Sequence, residues 1–389
     1  MILHYHYSYN ESSGEIRRIR NINKYLASQL SEEIIECAFV SIKHFVRRKK
    51  NTFFLSNNVV KKHVFPNIPF SNRYLWAKRL NSIFTSMFIK YLELKYKPVY
   101  IIGEYSSASQ SALFISSQVK FIVDVHGALK EEYEYNNSNI NSSISHYFDN
   151  LEKKSMYMSS YIICQSHEMK RHLLSKYPDI NSDKFFVYAC RADLSNFYVD
   201  TDMRNSLRRQ LSLTENDILF VYSGGLHKWQ NVDKALAYFS KYYDVYPTSK
   251  FLILTNQTNE ATALLQEDYA YLKSNVFVRS VSFNQVSSYL NAADAAFLIR
   301  DNVIMNAVAF PTKLAEYMAC GLPVVSTNVS SHWLSDMKYI FNIDQRDILG
   351  LKDFLTLVNR FEISNFAKSE LSLDKDMGEL KRLINNERA

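Results

Sequence analysis

Apolar and polar positions fall in blocks along this chain. In the first half the apolar runs Ile2–Tyr7, Ile34–Ile42, Val99–Gly103, Lys120–Val125, Tyr161–Cys164 and Phe185–Ala189 each predict a strand. In the second half Ile218–Tyr222, Lys250–Thr255, Asn275–Val278, Ala295–Ile299, Pro323–Ser326 and Tyr339–Asn342 do the same. Longer amphipathic stretches with helical spacing separate most of them, for example Asn231–Tyr242 and Asn284–Ala292. Repeated strand–helix alternation implies parallel sheets covered on both faces, and two such sets imply two Rossmann-like, doubly wound α/β domains. The irregular ADLSNFYVDT, Ala192–Thr201, marks the break. The expected domains are 1–195 and 196–368, with 369–389 a helical tail packing back on the first. In tandem open α/β domains a ligand is expected in the crevice between them, at the carboxyl ends of the strands. The Asn/Ser-rich patch Asn136–Ser145 reads as a mobile loop.

Composition adds a compartment and a surface. MILHYHYSYNES lacks the charged start and apolar core of a secretory signal, and no run reaches the length of a membrane span. The cysteines, Cys37, Cys164, Cys190 and Cys320, form no CxxC pair and read as reduced core residues of a cytoplasmic protein. The net charge of +7 is unevenly placed. From Lys43 to Lys97 there are thirteen Lys or Arg and one acid, Glu93, so this segment carries +12 and the remainder −5. Phe45, Phe53, Phe54, Phe65, Phe70, Tyr74, Trp76, Phe84 and Phe88 are interleaved with the basic residues. Cations beside aromatics suit an anionic membrane surface. The plainer alternative is a solvated basic helix face over core aromatics. No nucleic-acid motif accompanies the charge.

Candidate chemistry lies just after strands. In a chain with 8 glycines, Gly224 and Gly225 stand together between a strand and a helix, in YSGGLHKWQ. Two residues without side chains let backbone amides approach a phosphate, or simply make a tight turn. Lys228 in the same loop faces an anionic ligand or solvent. In FPTKLAEYMACGLPVVS, Phe310–Ser326, Pro311 suits a first helical turn. Thr312, Lys313 and Leu314 then head the helix, where amides and the dipole attract phosphate, and Lys313 adds a point charge. Glu316 lies one turn deeper on the same face and suits a ribose diol, or a surface pair with Lys313.

These stretches resemble the retaining glycosyltransferases of family 4 (group 1), two-domain GT-B enzymes that use nucleotide-diphosphate sugars. The resemblance rests on Pro311-Thr312-Lys313, Glu316-Tyr317-Met318-Ala319 and Gly321-Leu322-Pro323-Val324-Val325, with YSGGLHKWQNVDKAL and VSFNQVSSYLNAADAAFLIR in support. It covers about residues 217–344. It implies that Lys313 and the amides near Thr312 hold the donor diphosphate, that Glu316 binds the ribose, and that Gly224 and Gly225 pass close to the diphosphate or sugar. It puts Arg279 near the base and leaves Arg300 as a further cation. Many members carry Arg directly after the first glycine, Lys five residues later, and a Glu eight residues before the ribose-binding one. Here those places hold Gly225, Gln230 and Val308.

In the first half FIVDVHGALKEEYE places His126 and Gly127 at a strand's carboxyl end. The resemblance gives His126 contact with the donor sugar; otherwise it is a strand-end His bonded to backbone. Asp124 reads as a structural partner, and Glu131 and Glu132 as solvated or a minor part of the acceptor side. NESSGEIRRIRN resembles the family's first loop, with Gly14 beside donor phosphate and Arg17 or Arg18 turned to the ligand. Asp200-Thr201-Asp202 reads as a helix cap rather than a metal-binding DxD. His167-Glu168 with His172 is not HExxH and reads as surface helix.

The implied activity is metal-independent hexosyl transfer from a nucleotide-diphosphate sugar to a glycan acceptor, with retention. The acceptor is expected to be lipid-linked, in surface polysaccharide (O-antigen or capsule) biosynthesis, on the inner face of the cytoplasmic membrane. No cofactor, metal or nucleic acid is expected. The alternatives are a GT-B sugar-nucleotide epimerase and a catalytically degenerate transferase serving as a scaffold.

Overall fold

The computed structural model describes residues 1–7, 18–19, 21–23, 25–26, 33–47, 59–70, 74–104, 119–137, 139–189, 191–327, 338–372 and 378. The chain divides into two units, Met1–Ala189 with Asp376–Ala389, and Cys190–Lys375.

The first unit is built on seven strands: β1 (Ile2–His6), β2 (Ile34–Val40), β3 (Val59–Pro66), β4 (Tyr100–Glu104), β5 (Lys120–Val125), β6 (Tyr161–Cys164) and β7 (Phe185–Val187). They lie in the order β3-β2-β1-β4-β5-β6-β7, every pair parallel. The second unit has six: β8 (Leu219–Ser223), β9 (Lys250–Leu254), β10 (Val276–Arg279), β11 (Ala295–Leu298), β12 (Val324–Ser326) and β13 (Ile340–Asn342). Their order is β10-β9-β8-β11-β12-β13, again wholly parallel. β1, β2, β4 and β8 are almost continuously buried, as strands covered by helices on both faces must be.

Twelve strands fall within two residues of the apolar runs that predict them. The thirteenth described strand, β3, is not announced by the pattern. VVKKHVFP is broken by two exposed lysines and ends on proline, a composition tolerated only at a sheet edge, where β3 lies. Asn136–Ser145 is a connection only in its middle. Its ends belong to the helices Leu129–Asn136 and Ser142–Met158, and the Asn141 side chain caps the second by accepting from the amides of Ser143 (3.0 Å) and Ile144 (3.3 Å). Asp200 caps Thr201–Gln210 by accepting from the Met203 amide at 2.8 Å, as its position before the helix predicts.

The second unit is fastened at the amino ends of its central strands. Asp294, just before β11, accepts from Arg204, from Arg208 (3.0 Å) and from the Leu219 amide (2.8 Å). Phe220, Phe239, Phe251 and Phe297 fill the core beside it, Phe220 and Phe297 stacked at 5.0 Å. The helix Thr312–Ala319 ends on Gly321 (φ 73°), with Gly321 N–H donating to Met318 O and Leu322 N–H to Tyr317 O, each 2.9 Å. A Cβ at 321 would lie 2.6 Å from the Arg360 carbonyl oxygen, so the helix Arg360–Glu370 packs there only against glycine. Cys37, Cys164 and Cys320 are free and buried, and burial pushes the Cys164 and Cys320 thiols up to about 12.

Candidate active site

In the second unit the strand order reverses between β8 and β11, and the carboxyl ends of these strands form its switch point. β8 delivers Ser223, Gly224 and Gly225 there; β11 delivers Arg300. The helix Thr312–Ala319 starts at the same place. Gly224 has φ 147°, and its amide donates to Leu254 O on β9 at 2.8 Å. Its missing side chain is replaced by that of Lys313, whose Nζ and Cε occupy the space a Cβ would need.

Lys313 is held from several sides. Its ammonium donates to the Gln230 Oε1 (2.7 Å) and to the Tyr222 hydroxyl oxygen (3.1 Å), and sits 4.7 Å from the centre of the Tyr222 ring. The Tyr222 hydroxyl in turn donates to Gly225 O at 2.5 Å. Tyr317 completes the brace, its hydroxyl accepting from the Ser223 amide at 2.9 Å. Burial pushes Tyr222 and Tyr317 above the ordinary tyrosine range, so both stay neutral. Burial, with the charge of Lys313 nearby, lowers the pKa of His227. The His227 ring stacks on Trp229 at 4.5 Å, and a Cβ on residue 225 would lie 3.2 Å from it. The stacked pair therefore fills the loop beside Gly225.

At the helix head, Thr312 and Lys313 are partly buried. The Leu314 amide donates to Pro311 O at 2.9 Å and its side chain is buried, so the amides of Thr312 and Lys313 are the ones at the helix mouth. Glu316 is 4% exposed, not half of a surface pair with Lys313. Arg300 is partly buried, its guanidinium donating to Asn306 Oδ1 at 3.3 Å, and burial lowers its pKa. Lys228 is exposed on the turn Lys228–Gln230. Arg279 is exposed at the end of β10, an edge strand two places from β8, and donates to Val278 O at 3.0 Å. Of the residues expected to contact the donor, the fold thus gathers Gly224, Gly225, Arg300, Thr312, Lys313, Leu314 and Glu316, and leaves Lys228 and Arg279 outward.

The first unit reverses its strand order between β1 and β4. Here a buried acid–base network joins the middle of β1 to the carboxyl ends of β4 and β5. His4 on β1 faces Glu104 Oε1 with Nε2 (2.8 Å) and Asn23 Oδ1 with Nδ1 (2.6 Å). Both ring nitrogens face oxygen, which favours the doubly protonated ring. Burial opposes that charge, but Glu104 outweighs it and raises the His4 pKa. Glu104 also meets His126 Nδ1 at 3.1 Å. Burial pushes the Glu104 carboxyl up, yet His126 and His4 together hold it well below the usual range. Nδ1 of His126 is thereby engaged by a carboxylate, and the ring is about one-fifth exposed.

Arg18 is buried and donates through Nε to Asp124 (2.7 Å to Oδ2) and through Nη1 to Tyr188 O, so it braces β5 against β7 rather than turning to a ligand. Asp124 is the structural partner its position suggests. Glu104, Asp124 and His126 are the one group among the described residues whose ligand atoms could surround a cation, lying within 4.8 Å of one another. Arg18 and His4 already neutralise its carboxylates. Gly14, Arg17 and Cys190 lie outside the described residues. Glu131 is not simply solvated. Burial raises its pKa, but His172 (3.6 Å) and Lys176 (3.8 Å) outweigh that and hold it at about 2. Glu168, on the helix His167–Lys176, is buried rather than on the surface.

Tyr222, Glu104 and His4 are site residues that sequence reasoning did not single out; Gln230 stands out only as the occupant of the family's lysine position, and Tyr317 only as part of the Glu-Tyr-Met-Ala motif. Glu104 alone left a signal, an acid closing the apolar run YIIGE at a strand's carboxyl end.

Residues 203–332 match the family model of group 1 glycosyl transferases. No curated protein matches by sequence. Among solved structures, sucrose-phosphate synthase from Thermosynechococcus elongatus is similar with a TM-score of 0.76 at 13% identity, over 99% of this chain and 98% of that one. HepE from Anabaena, solved in complex with UDP, gives 0.71 at 12% identity over 99% of each chain. WaaG, a glycosyltransferase involved in lipopolysaccharide biosynthesis, gives 0.68 at 12% identity over 95% of this chain and 96% of that one. Two parallel-sheet α/β units with these neighbours define a GT-B fold. The family match and the fold together support a group 1 glycosyltransferase.

Proposed function

We propose that this protein is a retaining family 4 hexosyltransferase that moves a sugar from a nucleotide-diphosphate donor to a lipid-linked glycan, in surface polysaccharide biosynthesis. The observation that carries the reading is Lys313. It stands at a helix amino terminus, directly over Gly224 at the β8–β11 switch point, where a diphosphate would meet a cation, bare backbone and a positive helix end together. In the reaction the bond from the anomeric carbon to the diphosphate oxygen breaks and one to the acceptor hydroxyl oxygen forms. The acceptor's proton passes to the departing diphosphate. Lys313 and the amides of Thr312 and Lys313 stabilise the charge that grows on the leaving group. Glu316 takes the ribose. The residues named here supply this charge without a metal. HepE was solved with UDP, which favours a uridine nucleotide as the first donor to try.

The test is release of free nucleotide from a panel of UDP- and GDP-sugars, with Lys313→Ala as control. Turnover abolished in the variant is the expected result. Absence of both binding and turnover with every donor would favour a scaffold. One observation favours an epimerase as the second reading: the His4–Glu104–His126 network puts acid–base groups together, two of them at the carboxyl ends of β4 and β5. An epimerised sugar formed with no acceptor present would decide for it.

A further inference from the structure

The helix Leu75–Tyr96 is apolar on two sides, one buried through Ala77, Ile89 and Leu92 and one exposed. Its buried residues include Asn81, Thr85, Ser86 and Glu93, whereas Trp76, Leu80, Ile83, Met87, Tyr91 and Leu94 are 49–66% exposed. At 100° per residue these six fall within an arc of about 80°, one unbroken stripe along the helix. The orientation is built in. Asn81 accepts from the Ile68 amide at 2.8 Å and Thr85 shares a hydrogen bond with Tyr7 at 2.6 Å, beside buried Ala77, Ile89 and Leu92. That mixed side is thus committed to the fold, and a second, wholly apolar side faces out.

We infer that this stripe seats the protein in the interface of an anionic bilayer. The charge beside it points to that occupant. The helix has one acid, Glu93, buried and paired with Lys90 at 3.1 Å. Arg79 and Lys95 are exposed on opposite flanks of the stripe, and exposed Lys97 follows the helix. A protein partner or a second copy of this net-basic segment would have to meet cations on both flanks; anionic headgroups complement them. Aromatic residues stand at the two ends, where amphipathic rings suit headgroup depth. Exposed Phe70, Tyr74 and Trp76 form a chain of rings spaced 6.3 Å apart, and Tyr91 lies beneath the Lys95 ammonium at 5.5 Å. No described helix is long and apolar enough to cross a membrane, so this one lies along the surface. The inference sharpens the general basic-aromatic segment to one helix face, and rests on the lipid-linked acceptor reading for its biological sense.

The test is flotation of the full chain with phosphatidylcholine vesicles, with and without phosphatidylglycerol. The wild-type chain should float with anionic vesicles. Met87→Glu/Leu94→Glu, at exposed positions that leave the core intact, should reduce the floated fraction tenfold or more. Arg79→Gln/Lys95→Gln should remove most of the dependence on phosphatidylglycerol and flatten the loss with salt. Unchanged thermal melts confirm that both variants fold. Flotation equal in wild type and M87E/L94E overturns the inference. So does sedimentation showing a dimer that M87E/L94E dissociates while flotation persists. Nucleotide release from donor sugar, measured in solution on the same proteins, separates the two readings. It should be unaffected by these variants, and its absence from a chain that floats would sink the transferase and leave the membrane surface standing.

Discussion

The side chain of Lys313 fills the place of the side chain that Gly224 lacks. A residue at a helix head and a residue after a strand, 89 positions earlier, are thereby made into one surface at the β8–β11 switch point. Each constrains the other: the lysine needs bare backbone beneath it, and the glycine, at φ 147°, sits in a conformation that side chains resist.

Gly224→Ala should therefore fail twice. Strain at positive φ should cost about 1–3 kcal/mol, and the displaced ammonium should leave its seat. The expected result is a lowered melting temperature together with UDP affinity at least tenfold weaker by calorimetry. Intact affinity would show that the Lys313 position does not matter for the donor.

Tyr222→Phe removes the hydroxyl that links Lys313 to the Gly225 carbonyl. Loss of one such bond should cost about 1 kcal/mol. If the hydroxyl acts through Lys313, donor binding in Tyr222→Phe/Lys313→Ala should be no weaker than in Lys313→Ala alone. Additive losses in this double-mutant cycle would separate the two residues.

Glu104 and His4 give the first unit a pH signature. Glu104 has its pKa depressed, so its contribution is present above the ordinary 4.5 and is lost as pH falls through the lower folded value. His4 has its pKa raised, so its contribution is present below 6.5 and is lost as pH rises through the folded value. Both operate between about 4.5 and 6.5, where the unit should be most stable. Glu104→Gln should destabilise by about 3 kcal/mol and flatten the decline above pH 6.5. Exchange of the β4 and β5 amides, followed against pH, reads this unit directly; an unchanged profile in the variant would refute the coupling.

Gly321→Ala tests the helix that carries Lys313. With φ 73° and the Arg360 carbonyl in the way, an added methyl should cost about 2–4 kcal/mol. A chemical denaturation midpoint within error of wild type would count against this packing.

By itself the sequence determined the alternation that makes two parallel sheets, because strands buried on both faces must be apolar and their crossover helices amphipathic. It also determined the helix start at Pro311 and its stop at Gly321, since both depend on local backbone chemistry. It placed Lys313, Glu316, Gly224 and His126 just after strands or at a helix head, where ligands bind in such folds. Only the tertiary structure decided what these residues touch. That Lys313 rests on Gly224 and is held by Tyr222 and Gln230, and that His126 reaches His4 through Glu104, are contacts between segments distant in sequence that the sheet order brings together. The edge strand β3 escaped the pattern because two exposed lysines and a proline break its apolar run, and the outward apolar face of Leu75–Tyr96 escaped it for another reason. Periodicity reports which residues share a face, whereas which face turns inward is set by the partners that Asn81 and Thr85 find across the fold.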